Sequence, residues 1–149
     1  MTICIIPARS GSKRIKNKNI KLFDGKPIIS YAIRLARSCG LFKRIIVSTD
    51  SYSISKIAKK YGAEVPFLRP KKYATDKSSS AQALKHAVNF LEKKEKKKFD
   101  IIVELMCTNP LKKVKDIDNV IRKLIRTKAD TVIAVHKIED HAINFSGIG

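Results

Sequence analysis

Ile3-Cys4-Ile5-Ile6-Pro7, running straight into Ala8-Arg9-Ser10-Gly11-Ser12-Lys13, is the stretch on which the fold turns. A short, continuous apolar run without alternation reads as a strand covered on both faces. The small and basic residues behind it read as a loop at the strand's carboxyl end.

Further runs of the same kind occur at Arg44 to Ser48, Ile101 to Leu105 and Thr131 to Val135, with a weaker one at Glu64 to Leu68. Between them apolar residues return every three or four positions. The sets are Ile29, Ala32, Ile33, Ala36; Ile54, Ile57, Ala58, Tyr61; Leu84, Ala87, Val88, Leu91; and Ile117, Val120, Ile121, Leu124. That spacing predicts helices laying one face on a sheet. Pro27 fits the first turn of the first helix, Gly40 and Gly62 fit helix ends, and Asp50 or Ser51 fits the cap of the second helix. Strands alternating with helices predict an α/β fold with a mostly parallel sheet and helices on both faces. Ligands of such sheets bind beyond the carboxyl ends of the strands, which directs attention to the loops after Pro7, Ser48, Leu68, Leu105 and Val135.

The chain has 149 residues, 44% of them hydrophobic, a length suited to one domain with one core. The run from Thr131 to Val135 has no helix after it to close the sheet edge, so the expectation is one domain over 1–149 that is incomplete at its carboxyl end. No apolar run approaches the roughly 18 residues that span a bilayer, and the start lacks the basic leader of a signal sequence. The expectation is a soluble, cytoplasmic protein. Cys4, Cys39 and Cys107 stand far apart in no ligand spacing, which argues for ordinary buried thiols rather than a disulfide framework or a zinc site.

Lys and Arg number 32 against 13 Asp and Glu, a net charge of +19 that attracts polyanions without selecting one. The run Glu92-Lys93-Lys94-Glu95-Lys96-Lys97-Lys98 lacks interleaved aromatics and reads as a solvated helix end. No specific nucleic-acid signature accompanies it. The first loop gathers Arg9, Lys13, Arg14, Lys16, Lys18 and Lys21 around Ser10, Gly11 and Ser12, where backbone amides can approach an anion and cations can surround a polyphosphate. It is neither a GxxxxGK loop followed by Ser or Thr nor a GxGxxG turn. From residue chemistry alone, phosphate binding and an unremarkable basic surface loop both stay open.

Ordered motifs narrow that choice. Pro7-Ala8-Arg9-Ser10-Gly11-Ser12-Lys13, Lys18-Asn19-Ile20, Gly25-Lys26-Pro27, Ser48-Thr49-Asp50, Leu68-Arg69-Pro70, Asp76 before Ser78-Ser79-Ser80, and Thr108-Asn109-Pro110-Leu111-Lys112 follow one another in an order that resembles the acylneuraminate cytidylyltransferases. The resemblance implies a Rossmann-like nucleotidyltransferase that takes CTP and a nonulosonic acid of sialic, legionaminic or pseudaminic type and releases pyrophosphate. It further implies that Arg9, Ser12 and Lys13 bind the triphosphate, that Lys18 and Asn19 complete the cradle, and that Arg69 and Ser80 contact cytidine. Arg9, Lys13 and Lys18 are the cations it places at the reacting phosphates. Residue chemistry leaves blander roles open: Arg69 pins a loop, and Ser78 to Ser80 cap a helix.

At Met106-Cys107-Thr108-Asn109-Pro110 the commonest form of the family has Gln-Pro-Thr-Ser-Pro, with the Gln facing the acceptor sugar. Met106 cannot supply an amide's donor and acceptor, so either the acceptor differs from the usual sialic acid or this is a divergent subgroup with compensating contacts, with Met106 and Thr108 as the acceptor-side candidates. His86 reads as structural or solvated, whereas His136 and His141 flank Glu139-Asp140 at a strand end, and His141 is a weak sugar-binding candidate. The resemblance implies Mg²⁺ as cofactor, with its principal aspartate ligands, part of the sugar site and the homodimer element beyond residue 149. Asp50 is open as a metal ligand or as a helix cap. Rival readings are a nucleotidyltransferase for another sugar such as 3-deoxy-manno-octulosonate, and a non-catalytic polyanion binder.

Overall fold

A computed structural model of the chain describes residues 1–12, 15 and 17–135. Its chain order is β1 (Thr2–Pro7), β2 (Leu22–Phe23), β3 (Lys26–Pro27), α1 (Ile28–Cys39), β4 (Arg44–Ser48), α2 (Tyr52–Lys60), α3 (Ser80–Glu95), β5 (Ile101–Glu104) and α4 (Val114–Thr127). Short 3-10 turns lie at Lys18–Ile20 and Lys71–Tyr73. Met1–Val114 form one compact unit and Lys115–Gly149 a second. Within the second unit α4 carries the stripe Ile117, Val120, Ile121 and Leu124, and an Asp118–Arg122 pair one turn apart at 2.6 Å.

The most apolar strand takes the centre. β1 lies between β4 and β5, all parallel, with Ile3 opposite Arg44 and Pro7 opposite Ser48 on one side, and Thr2 opposite Ile101 and Ile5 opposite Glu104 on the other. Ile3 and Ile5 pack with Ile46, with Ala87 and Leu91 of α3, and with Phe99. Cys4 and Ile6 alternate to the opposite face and are equally buried. Helix α1 runs along β1 and β4 and buries Ile29, Ala32, Ile33 and Ala36, the predicted stripe.

Local chemistry sets the boundaries. Pro27 precedes α1 at its cap position instead of lying in its first turn, closing a two-residue hairpin whose Asp24 and Gly25 both have positive φ, as this turn requires. Ser51, not Asp50, caps α2 by accepting from the Ile54 amide. Ser79 and Gln82 form a reciprocal capping box at α3. Gly62 ends α2 at φ 91°, where a side chain would meet the Arg37 guanidinium at 2.7 Å.

Two expected strands are corrected. From Glu64 to Leu68 only Glu64 pairs, in a single parallel bridge to Ile46, because Pro66 has no N–H to donate to a ladder. Thr131 to Val135 form no strand; Ile133 and Val135 are exposed, and none of the described strands pairs with them. An apolar run becomes a strand only where a neighbour completes its hydrogen bonds.

None of the three cysteines is in a disulfide; Cys4 and Cys107 are buried and Cys39 is half-buried. Burial pushes the Cys107 thiol up to about 12, and burial, with a smaller effect of the neighbouring thiols, pushes Cys4 well above the ordinary thiol range. Because the thiolate is the reactive form, iodoacetamide at mildly alkaline pH is expected to spare Cys4 and Cys107 in the folded chain and to label both in denaturant. Peptide mass mapping checks this, and fast labelling of Cys4 without denaturant would contradict the packing of β1.

Candidate functional site

The register of the sheet builds the site. Pro7 lies beside Ser48, so the chain leaving β1 meets the chain leaving β4 at their carboxyl ends. The Ala8 amide extends the pairing by donating to the Ser48 carbonyl at 2.9 Å. Beyond it, Asp50 accepts from the Ser10 amide at 2.8 Å and from the Ser10 hydroxyl at 2.6 Å, one bond to each carboxylate oxygen. The Ser12 amide then donates to the Ser10 carbonyl at 3.0 Å across Gly11. The loop is thus turned back on itself with its amides and side chains gathered at one place.

A second tether comes from the 3-10 turn. Asn17 adopts the left-handed conformation at φ 55°, and Asn19, buried, donates its side-chain amide to the Arg9 carbonyl at 2.9 Å. The Arg9 guanidinium meets Asp76 at 2.7 Å. An open cleft of about 500 Å³ results, lined by Arg9, Ser10, Gly11, Ser12 and Asn17 on one side and Ala74, Thr75 and Asp76 on the other.

Of the residues singled out above, the cleft brings together Arg9 and Ser12. Lys18 and Asn19 stand on the turn beneath it, and the charge of Lys18 is felt at Cys107 past the end of β5. Arg69 is buried behind the loop. Its Nε donates to Ser48 Oγ at 3.0 Å, its Nη2 to the Ser48 carbonyl, and its backbone amide to the Thr49 carbonyl at 2.7 Å. Burial lowers the Arg69 pKa, which the nearby Asp50 carboxylate partly offsets. Ser80 is the exposed first residue of α3, next to the capping Ser79, and Met106 and Thr108 are exposed after β5; none of the three lines the cleft. Lys13, Arg14, Lys16, His136 and His141 lie outside the described residues.

His86 is half-buried on α3, edge-on to Phe67 at 5.0 Å and tilted against Tyr73 at 5.1 Å. Burial, with help from the cationic Arg69 and Lys72, lowers its pKa, so it is neutral at pH 7.

Two carboxylates noted in the sequence have partners that it did not disclose. Asp50 is not the cap, and each of its oxygens accepts a bond from Ser10. Asp76 faces Arg9 across the cleft. The parallel pairing of β1 with β4 was the signal that could have found Asp50, since it carries residues two and three beyond each strand end to the same place. Among the described residues no group of three or more His, Cys, Asp and Glu side chains could hold a metal ion. The described carboxylates therefore form no all-protein metal cage, and a magnesium ion held through one or two carboxylates would need phosphate oxygens to complete its shell. No helix among the described residues is long and apolar enough to cross a membrane.

Residues 3–146 match the cytidylyltransferase family. The pseudaminic acid cytidylyltransferase of Campylobacter jejuni is 38% identical over 137 residues, 92% of this chain and 59% of its own length. The CMP-N,N'-diacetyllegionaminic acid synthase of Legionella pneumophila is 35% identical over 138 residues, 91% of this chain and 58% of its own length. The chain thus spans less than two thirds of these relatives. Among solved structures, CMP:2-keto-3-deoxy-manno-octonic acid synthetase complexed with CTP superposes with a TM-score of 0.68 at 22% identity, covering 86% of this chain and 48% of that one, a likeness of fold. The chain belongs to the cytidylyltransferase family.

Proposed function

We infer that this member of the cytidylyltransferase family grips the triphosphate of CTP in its first loop and serves the transfer of a cytidylyl group to a nonulosonic acid. The observation that carries the reading is the cleft at the carboxyl ends of β1 and β4, where Arg9 and Ser12 line one open space beside the turned-back loop. Relatives named for pseudaminic and legionaminic acids support the sugar class.

In the transfer, the anomeric hydroxyl of a 2-keto sugar acid attacks the α-phosphorus in line. A new phosphorus–oxygen bond forms as the hydroxyl gives its proton to solvent, the bond to the bridging oxygen breaks, and pyrophosphate leaves. Such reactions are accelerated mainly by positioning and by neutralising charge on phosphate oxygens. Arg9 offers a planar fork of donors to them, Ser12 its hydroxyl, and Lys13 and Lys18 further positive charge. Ser80 and Arg69 are assigned to the cytidine side, Arg69 by holding the Ser48–Thr49 backbone as much as by contact, and Met106, Thr108 and His141 to the acceptor side. The metal-dependent part of the chemistry and a homodimer, both implied by the resemblance, would draw on residues other than those described.

Incubation with CTP, Mg²⁺ and a panel of sialic, legionaminic, pseudaminic and 3-deoxy-manno-octulosonic acids, with pyrophosphate release as the readout, tests the reading. Release with a nonulosonic acid is expected. Release with 3-deoxy-manno-octulosonate alone, or with none of the panel, would overturn the assigned acceptor class.

A further inference from the structure

The Asp50 carboxylate poses a physical problem. It is an anion at the edge of a cleft read as a triphosphate grip, and it consumes the Ser10 amide and hydroxyl, two donors that a phosphate would otherwise use. Repulsion of a polyanion is a standing cost, so its position calls for a compensating role.

Its surroundings supply one. Asp50 follows the fully buried Ser48 and Thr49. The Thr49 carbonyl accepts from the Arg69 amide, and the Thr49 hydroxyl accepts from the Ser51 amide at 3.1 Å. Ser51 in turn caps α2. Asp50 is therefore fixed between a buried strand end and a helix start, while the loop it grips is glycine-containing and half exposed. The grip falls at Ser10, next to Arg9 and one glycine before Ser12, within the cleft-lining run Arg9 to Ser12. Ser10 passes the constraint on, because its carbonyl holds the Ser12 amide.

We propose that Asp50 is the positioning residue of the first loop, acting through Ser10 to present Arg9 and Ser12 to the triphosphate in a prearranged geometry. The proposal rests on the reading of this loop as the CTP grip. Prearrangement raises affinity by sparing the ligand the cost of ordering the loop.

The test compares the wild-type chain with Asp50→Asn, Ser10→Ala and the double variant. It reads calorimetric binding of CTP and CMP, melting without ligand, and exchange of the Ser10 amide by NMR. Asn keeps one acceptor of the two. Asp50→Asn is expected to weaken CTP by about tenfold, the scale of one lost charge-assisted hydrogen bond. It should change CMP, which lacks the outer phosphates, by less than about twofold on the same scale, and should leave the melting temperature in place. Ser10→Ala is expected to behave alike, and the double variant to lose no more than the single ones, because both act on one link.

Unchanged CTP binding in Asp50→Asn, additive losses, or an equal loss for CTP and CMP with lowered melting would each overturn the positioning role. Amide exchange is independent of nucleotide. If Ser10 exchanges equally fast in wild type and Asp50→Asn, the anchor itself is refuted. If it exchanges faster only in the variant while wild type binds no CTP, the anchor stands and the reading of the loop as a CTP grip falls.

Discussion

Arg9→Ala is expected to weaken CTP binding by about 10- to 100-fold, the range of one or two kcal/mol-scale hydrogen bonds to a charged group. The fold should be indifferent to the change. The Arg9 side chain is one-third exposed, and its ion pair with Asp76 at 2.7 Å is about as exposed on the other side. Pairs of that kind contribute roughly 0–1 kcal/mol. The tether that holds the loop, from Asn19 to the Arg9 carbonyl, is made to backbone and survives truncation of the side chain. Loss of affinity without loss of melting temperature is therefore the signature of a residue that serves the ligand. Arg9→Lys should fall between, keeping the charge but not the planar fork that matches phosphate oxygens. Calorimetry beside thermal melting decides it, and full CTP affinity in Arg9→Ala would contradict the role given to the cleft.

Arg69→Ala is expected to do the reverse and strike stability first. Arg69 is 6% exposed, and its fork is spent on Ser48, whose carbonyl also receives the Ala8 amide leaving β1. Truncation would leave the Ser48 hydroxyl without its donor and a cavity where the guanidinium lay. Together these cost about 3 kcal/mol, or roughly 10 °C in a chain of this size. Lysine cannot rebuild two divergent bonds from one nitrogen, so Arg69→Lys should recover little. A melting temperature within a few degrees of wild type for Arg69→Ala would show that the Ser48 junction is not the keystone between the two loops.

These two arginines illustrate what the sequence could disclose. Arg9 stands one residue beyond an apolar strand in a loop of small and basic residues, a local pattern that directs attention to a ligand but leaves a plain basic loop open as well. Arg69 stands before a proline, and its two readings, loop pin and cytidine contact, separate only when the partner 21 residues away is seen. Asp50 is harder still. Its chemistry depends on Ser10, 40 residues distant, and on which strand neighbours β1.

The same division runs through the fold. The Ile-rich runs at β1, β4 and β5 each mark a strand by their own hydrophobicity, and the three-and-four spacing of α1 and α3 is a local property, so these were legible; the expected cover on both faces fails at the edge strand β5, where Ile102 is exposed. The run from Thr131 to Val135 has the same composition, but strand formation needs a neighbour, which composition does not report. In the Glu64 to Leu68 run, Pro66 was visible in the sequence and is the reason the pairing stops at one bridge. The hairpin from Leu22 to Pro27 is too short for a hydrophobic pattern and announces itself only through Asp24-Gly25. The lysine-rich run after α3 lies at a helix end, with Lys98 and the Phe99 amide both bonded to Glu92.

The central claim is that the chain takes one nucleotide, with its triphosphate in the first loop, and does not merely attract anions through a net charge of +19. Calorimetric titration of the chain with CTP, UTP, ATP and GTP, at low and at raised ionic strength, tests it most directly. Generic attraction by lysines weakens steeply with salt and ignores the base. The account predicts that CTP binds at least about tenfold more tightly than the other three, a difference of about 1.4 kcal/mol, and that this preference persists as salt rises. Four nucleotides binding alike, and weakening together with salt, would contradict it.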